Sequence, residues 1–134
     1  MLNVGTEFRK GILFVRLRGH LNKDTISKLN KKVTSIVKNN GIRNVVFNFT
    51  NLKSIDIKGI NTIFYNYELC KSNNGRSMFC GNNDKIRKKL KSSRLINYVY
   101  ETKDELSAIK ILNLRWNYGW KNNIWKSKTY LLCC

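Results

Sequence analysis

Residues 44–61, NVVFNFTNLKSIDIKGIN, place a strand pattern directly before a helix start. The β-branched and aromatic residues of 44–49 predict a buried central strand. Apolar residues then recur at helical spacing, which predicts a helix from Lys58 to the Asn-Asn-Gly stop at 73–75; they are Ile60, Ile63, Phe64, Tyr67 and Cys70. Asp56 and Gly59 suit the start of this helix, with Ile57 and Lys58 between them. A helix start that follows a strand is a common place for a protein to hold or carry a phosphate.

The residues before this stretch predict a hairpin and an amphipathic helix. Residues 12–19, ILFVRLRG, alternate apolar and polar side chains as a half-buried strand does, and a weaker strand pattern covers 4–9. Lys10 and Gly11 form the predicted turn. Apolar residues spaced three and four apart over 26–37 predict a helix capped by Asn22 or Asp24 and ended by Gly41.

The residues after it continue the alternation of strands and helices. Short strands are predicted at 76–80 and 97–100, and a short basic helix at 83–91. A final helix is predicted over 102–112, with Thr102 and Glu105 as a capping box. Its predicted apolar face is Leu106, Ile109 and Leu112.

The resulting element order is ββαβαβαβα. It predicts an α/β fold with a mixed five-strand sheet and helices packed against it, in which the first hairpin supplies an antiparallel edge. Ligands and modifications in such sheets gather at the carboxyl ends of the strands, and the 54–61 segment follows one of these ends.

The chain of 134 residues fits one domain of ordinary size. We expect a domain over 1–112 and a basic, tryptophan-rich tail over 113–134 that contains no acid. The tail is either an appended end that packs loosely, or an amphipathic segment that uses Trp116 and Trp120 to touch a membrane or a partner. No apolar run approaches a bilayer span and the N-terminus lacks signal-peptide order, so we expect a cytoplasmic protein that does not bind membranes.

The formal net charge of +18 is the most unusual feature of the composition. Lysine and arginine gain affinity for nucleic acids by releasing counterions from phosphates, so a nucleic-acid-binding module is one alternative. The cations are nevertheless dispersed along helices whose outer faces must be polar in any case. Dispersed charge is typical of a solvated face, and nucleic acid is therefore not the expected partner.

The sequence lacks the residue patterns of an enzyme or a metal site. Its four cysteines form no Cys-x-x-Cys pair, and His20 is the one histidine, which argues against structural zinc. There is no nucleophile elbow, glycine-rich phosphate loop or pair of neighbouring carboxylates. We expect no catalytic residues, no metal, no cofactor and no small-molecule substrate.

Several strings, in their order and spacing, resemble the STAS domain proteins, and most closely the bacterial anti-sigma factor antagonists. They are ILFVRLRGHLNKDT, GIRNVVFNFTNLKSID, the Asp56 and Gly59 pair that opens a helix, and NNGRSMFCG before KIRKKL. The resemblance covers residues 5–112. It implies a single STAS-like domain with a non-enzymatic role in regulating transcription.

The resemblance also implies a partner and a switch. Antagonists of this family bind an anti-sigma factor that is also a serine kinase, which frees a sigma factor to direct transcription. The kinase inactivates the antagonist by phosphorylating the helix start after the third strand, in a motif resembling Asp-Ser-Ser-Gly or Asp-Ser-Thr-Gly. The matching residues here are Asp56, Ile57, Lys58 and Gly59, so that Lys58 stands at the acceptor position.

Lysine cannot accept a hydroxyl-linked phosphate, and its charge opposes the helix dipole. We therefore expect residues 56–59 to bind a partner without the usual phosphorylation. The alternatives are a switch that uses Ser54, Thr62 or another hydroxyl, a general protein-interaction module, and a degenerate, inactive paralogue. Asp56 is expected to cap the helix, and Gly59 to permit a close backbone approach or an unusual dihedral angle. Ile57 is either an exposed docking contact or buried under the loop.

Overall fold

A mixed five-stranded sheet forms the centre of the protein, as the sequence predicts. The computed structural model describes residues 1–121, with side chains up to Asn113. The strands are β1 (Leu2–Arg9), β2 (Ile12–Leu21), β3 (Asn44–Ile55), β4 (Arg76–Cys80) and β5 (Tyr100–Thr102). They lie in the spatial order β1-β2-β3-β4-β5, with β1 antiparallel to β2 and the other neighbours parallel.

Helices connect the parallel strands and follow the last one. They are α1 (Ile26–Leu29), a π-helical segment (Asn30–Thr34), α2 (Ser35–Asn40), α3 (Ile57–Ser72), α4 (Asp84–Ser92), a 3₁₀ turn (Leu95–Asn97) and α5 (Glu105–Lys121). The first three form one continuous helical run, so the predicted order ββαβαβαβα is confirmed. Within the described part of the chain, no helix is long and apolar enough to cross a membrane.

The two faces of the sheet are covered differently. The main core lies on the face that packs against α1 to α4, and it includes Leu13, Val15, Val45, Phe47 and Phe79. A smaller second core lies on the opposite face, where α5 packs; it consists of Ile12, Phe14, Val46, Met78, Cys80, Ala108 and Leu112. The alternation of strand side chains separates these two sets, as the period of two predicts.

Strand β3 is longer than its predicted span of 44–49. It extends to Ile55, and its second half pairs with the end of β2 across two register irregularities, between Arg16 and Arg18 and between Gly19 and His20. The extension was missed because the polar residues of 50–54 weaken the apolar strand signal. As a result the strand ends at the residue immediately before Asp56.

The strand predicted at 97–100 is wrong in its position, since β5 begins at Tyr100. Arg94 has a left-handed φ of 66°, and the chain then tightens into the 3₁₀ turn. The amides of Asn97, Tyr98 and Val99 donate to carbonyls of this turn, and so they do not pair with β4. Local hydrogen bonds override the strand preference of these residues.

Two predicted helix caps are also wrong. Neither Asn22 nor Asp24 caps α1, because the Asn22 side chain instead accepts a hydrogen bond from the Asp24 amide at 2.9 Å in the preceding turn. Gly41 does end α2 in a left-handed conformation, with φ of 63°. Thr102 does not cap the last helix, since the Asp104 carboxylate accepts from the Ser107 amide at 2.8 Å.

The last helix differs from its predicted face and length. Leu106 is 60% exposed, while Ala108 and Leu112 are buried against the sheet. Because α5 continues to Lys121, the predicted division at 112/113 lies inside a helix. The separate tail stays a prediction: residues 122–134 and the side chains of Trp116 and Trp120 lie outside the described part of the structure.

Candidate partner-binding site

The candidate site is the junction where β3 passes into α3, at the carboxyl edge of the sheet. Asp56 has extended backbone angles and caps α3, because its Oδ1 accepts from the Gly59 amide at 2.8 Å. Its Oδ2 accepts from the Lys23 amide at 3.1 Å, and its own amide donates to the Leu21 carbonyl at 3.1 Å. The predicted cap is therefore confirmed, and it also ties α3 to the loop that follows β2.

Gly59 lies where the helix passes close to β2. A Cβ at this position would lie 2.7 Å from the Leu21 carbonyl oxygen and 2.9 Å from the Leu21 Cγ atom. Gly59 is buried within the first turn of α3. Of the two explanations offered by the sequence, the structure supports the close backbone approach: the first turn of α3 can lie against β2 only if this residue has no side chain.

Ile57 and Lys58 point away from the fold. Ile57 is 61% exposed, so the burial alternative for this residue is wrong. Lys58 is exposed at the second position of α3, and its ammonium group makes no ion pair with the described residues. The first turn of α3 contains no acidic residue. The positive end of the helix dipole therefore carries an additional positive charge that a partner can reach.

The neighbouring hydroxyl groups are engaged in contacts within the protein. Ser54 is half-buried, and its Oγ lies 2.6 Å from the Nδ1 atom of His20. Thr62 is buried, and its hydroxyl donates to the Lys58 carbonyl at 3.1 Å. Neither hydroxyl occupies the exposed position of Lys58. His20 was considered from the sequence as a metal ligand, and its contact with Ser54 was not predicted.

The described residues contain no group of three histidine, cysteine, aspartate or glutamate side chains that could hold a metal ion. Cys70 and Cys80 are both buried and unpaired. Burial raises the thiol pKa of each to about 12, which leaves them protonated near neutral pH. They act as core residues, in agreement with the sequence interpretation of Cys70.

A polar network at the same edge of the sheet was missed by sequence reasoning. Arg16 donates from Nε and Nη2 to the two carboxylate oxygens of Glu105, at 2.8 Å each. Asn48 donates to Glu105 at 2.8 Å and accepts from the Thr50 hydroxyl at 2.6 Å. Arg16 also pairs with Glu7 at 2.9 Å. The sequence assigned Arg16 to the polar face of a strand, Asn48 to a buried strand and Glu105 to a capping box, and none of these assignments predicts the contact between them.

This network perturbs the charged groups that form it. The hydrogen bonds from Arg16 hold the pKa of Glu105 below its ordinary value, despite opposition from burial. The same contact, together with Glu7, raises the pKa of Arg16. Both groups therefore stay charged near neutral pH, and they attach the start of α5 to β2 and β3.

Comparison with known proteins identifies the fold that presents this junction. The family model of the STAS domain matches residues 3–108. An anti-sigma F factor antagonist of Paenibacillus polymyxa is 24% identical over 113 residues, which cover 84% of this chain and 97% of that protein.

Solved structures show the same architecture. A putative anti-sigma factor antagonist from Thermotoga maritima superposes with a TM-score of 0.77 at 16% identity, covering 82% of this chain and 94% of that one. An anti-sigma factor antagonist from Mycobacterium paratuberculosis gives a TM-score of 0.76 at 13% identity, covering 84% and 95%. At these identities the structural likeness concerns the fold.

Proposed function

The chain belongs to the STAS domain family, and we propose that it is an anti-sigma factor antagonist that escapes phosphorylation. In this proposal it binds an anti-sigma factor of the serine kinase type and so releases a sigma factor. It acts by binding and carries out no catalysis. The proposal rests on the family, on the relative from Paenibacillus polymyxa and on the chemistry of one residue, Lys58.

Lys58 is the observation that carries the proposal. It occupies the exposed second position of α3, which matches the acceptor position of the family motif. A phosphate at this position would lie beside the free amides of the first turn and would add up to two negative charges. The lysine has no hydroxyl to phosphorylate and has the opposite charge. The partner's kinase activity therefore has no acceptor here.

The rest of the junction keeps the frame on which a partner would dock. The Asp56 cap and the close approach of Gly59 hold the first turn of α3 against β2. This places Ile57 and Lys58 on the surface in one defined conformation. A preorganised surface reduces the entropy lost on binding, which favours a constitutive interaction.

The hydroxyl groups near the junction support the same conclusion. Ser54 is held by His20, and Thr62 is buried and bonded to the Lys58 carbonyl. A kinase would have to break these contacts before it could reach either oxygen. The alternative of a switch at Ser54 or Thr62 is therefore less favoured than the absence of a switch.

The direct test uses the anti-sigma factor kinases of the genome that encodes this chain. Each purified kinase is mixed with the protein and ATP, and binding is measured by calorimetry while intact mass reports phosphate. We expect one kinase to bind the protein and to leave its mass unchanged. Stoichiometric phosphate on the wild-type chain would overturn the loss of the switch, and failure of every kinase to bind would favour the inactive paralogue.

A gain-of-function variant sharpens this test. Lys58→Ser restores a hydroxyl at the acceptor position, and we expect it to gain one phosphate that weakens binding. Lys71→Ser is the matched control, because it makes the same substitution at another exposed position of α3. If the two variants gain phosphate equally, recognition does not centre on position 58.

A further inference from the structure

A shallow apolar groove lies beside the candidate site, between α3 and the turn that follows α4. Its volume is about 190 Å³, and its apolar lining consists of Ile57, Ile60, Phe64, Leu95 and Tyr98. We call this feature the aromatic groove. Ile57 and Tyr98 are 61% and 58% exposed, so the groove leaves large apolar side chains in contact with water. Exposed apolar surface concentrated at one place is typical of an interaction site.

Aromatic rings give the groove a defined shape. The Phe64 ring lies 5.6 Å from that of Tyr67 and 5.5 Å from that of Tyr98, with the second pair arranged edge to face. Ring contacts of this kind restrain the side chains in the free protein. Aromatic side chains that are already ordered lose little entropy on binding, as binding hot spots require.

The left-handed turn at Arg94 brings a cation to the groove. Arg94 lines the groove and has φ of 66°, and its amide bonds back to the Lys91 carbonyl. No carboxylate is among the described residues that line the groove. Lys58 follows Ile57 directly along α3. Lys58 is not among the residues that line the groove, so the described lining carries one cation, Arg94, and no carboxylate.

Helix α4, which precedes the turn at Arg94, adds positive charge to this part of the surface, although its Lys85 and Lys89 line a separate pocket beside Asp24 and Asp56. Its lysines are exposed and make no ion pair with the described residues; they are Lys85, Lys88, Lys89 and Lys91. Arg87 is the exception on this helix, because Glu101 neutralises it. Arg94 in the groove lining and the lysines of the preceding helix together favour a negatively charged partner and speed its approach.

We infer that the aromatic groove binds an acidic, amphipathic segment of the anti-sigma factor. An apolar side chain of that segment enters between Ile57 and Tyr98, and a carboxylate of the segment lies against Arg94. The inference rests on the proposed function and adds the chemistry of the partner segment. It also extends the docking surface from residues 56–59 across to the turn after α4.

Binding of the anti-sigma factor to groove variants tests this inference. We expect Tyr98→Ala and Ile57→Ala to weaken binding about tenfold or more, as loss of a hot-spot contact does. Leu106→Ala is the matched control, since Leu106 is also 60% exposed but lies on α5. Equal affinity of the groove variants and the wild type would overturn the assignment of the groove as a binding site while leaving the proposed function intact. Failure of the wild type itself to bind would instead count against the proposed function.

The charge of the groove lining is tested separately. Asparagine tolerates a left-handed backbone, so Arg94→Asn removes the cation without changing the turn. We expect weaker binding and a smaller dependence of affinity on salt. Lys31→Glu, at an exposed position before α2, is the control. An unchanged affinity and salt dependence for Arg94→Asn would overturn the role of this charge.

Synthetic peptides test the chemistry without the intact partner. An amphipathic peptide with glutamates on its polar face is titrated into the isotope-labelled full chain, beside the same peptide with lysines and a scrambled glutamate peptide. We expect only the first to shift the amide signals of Ile57, Phe64 and Leu95. Equal shifts with the scrambled peptide would overturn the inference in favour of nonspecific binding. Displacement of the first peptide by a DNA duplex that shifts the same signals would overturn it in favour of nucleic-acid binding.

Discussion

Two of the helices that begin at the carboxyl edge of the sheet, α3 after β3 and α5 after β5, have similar caps. Asp56 accepts from the amide of the third helical residue, Gly59, at 2.8 Å, and Asp104 accepts from that of Ser107 at the same distance. The first turns nevertheless differ in charge and contacts. The same capping device therefore serves two different purposes at one edge of the protein.

The first turn of α5 is attached to the sheet by charge. Glu105 is the first residue of the helix, where the dipole favours a carboxylate, and it is bonded to Arg16 and Asn48. The first turn of α3 is attached instead by its backbone, through Gly59 against Leu21, and leaves Ile57 and Lys58 in solvent. Attachment through the backbone leaves the side chains of α3 available for a partner.

The largest expected effect comes from filling the close approach at α3. Gly59→Ala places a methyl group against the Leu21 carbonyl, and we expect a loss of about 2–3 kcal/mol in the free energy of unfolding. Ser107→Ala at the equivalent position of α5 should change it far less, because that position already carries a side chain. Chemical denaturation of both variants measures the difference; similar losses would contradict the asymmetry of the two attachments.

The next effect concerns the charged attachment of α5. Glu105→Gln keeps the size of the side chain but weakens the hydrogen bonds to Arg16. We expect the free energy of unfolding to fall by about 1.5–2 kcal/mol at neutral pH. The pKa of Glu105 is lowered in the folded protein, so its stabilisation is fully present above the ordinary value of 4.5 and is lost as the pH falls through the folded-state pKa.

The pH dependence supplies the check on this prediction. Unfolding by urea is compared for wild type and Glu105→Gln between neutral pH and acid pH. We expect the gap in stability to narrow below pH 4.5, where the Glu105 carboxylate of the unfolded chain binds a proton more readily than that of the folded protein. A gap that stays constant with pH would mean that the variant acts through packing and that the ion pair contributes little.

A smaller effect is expected from the cap of α3. Asp56→Ala removes the acceptor of both the Gly59 and Lys23 amides. We expect the free energy of unfolding to fall by about 1 kcal/mol or slightly more. Asp56→Asn retains an oxygen acceptor for the cap and should lose less. Thermal unfolding of the two variants distinguishes loss of the cap from a general effect of substitution, because a general effect would lower both melting temperatures equally.

The smallest expected effect tests the charge of the first turn. Lys58→Glu places a carboxylate in the first turn of α3, as Glu105 does in α5. We expect the free energy of unfolding to rise by about 0.3–1 kcal/mol, because the helix dipole favours negative charge at this end. The gain should shrink at high salt, because the position is exposed. Lys31→Glu is a control away from any helix start. A loss of stability in Lys58→Glu would show that the lysine has a structural role in addition to its place on the surface.

Local patterns in the sequence were sufficient for most of the fold. Alternating residues such as Leu13 and Val15 predict a strand whatever they pack against, and residues at helical spacing such as Ile60 and Ile63 predict a helix. Two of the errors lie where local hydrogen bonds competed with these patterns. The amides of Asn97 to Val99 donate to carbonyls of the 3₁₀ turn, and Asp104 caps the last helix in place of Thr102.

The candidate site was predictable in part. Asp56 was recognisable as a cap from its place before a helical pattern, and its bond to Gly59 confirms this. The exposure of Ile57 was not predictable, because an apolar residue in a turn can lie inside or outside. The contact of Tyr98 with Phe64 joins residues far apart in the chain, and no local pattern reports such a contact.

The sequence by itself determined the order of strands and helices and the chemistry available at Lys58, because periodicity and functional groups are properties of the residues themselves. Three features were decided only by the tertiary structure. Gly59 must lack a side chain because its helix passes close to Leu21, and the residues of the aromatic groove come together from separate elements. Arg16 binds Glu105, which is 89 positions away in the chain. These features depend on distances between elements that pack together, and such distances exist only once the helices and strands lie against one another.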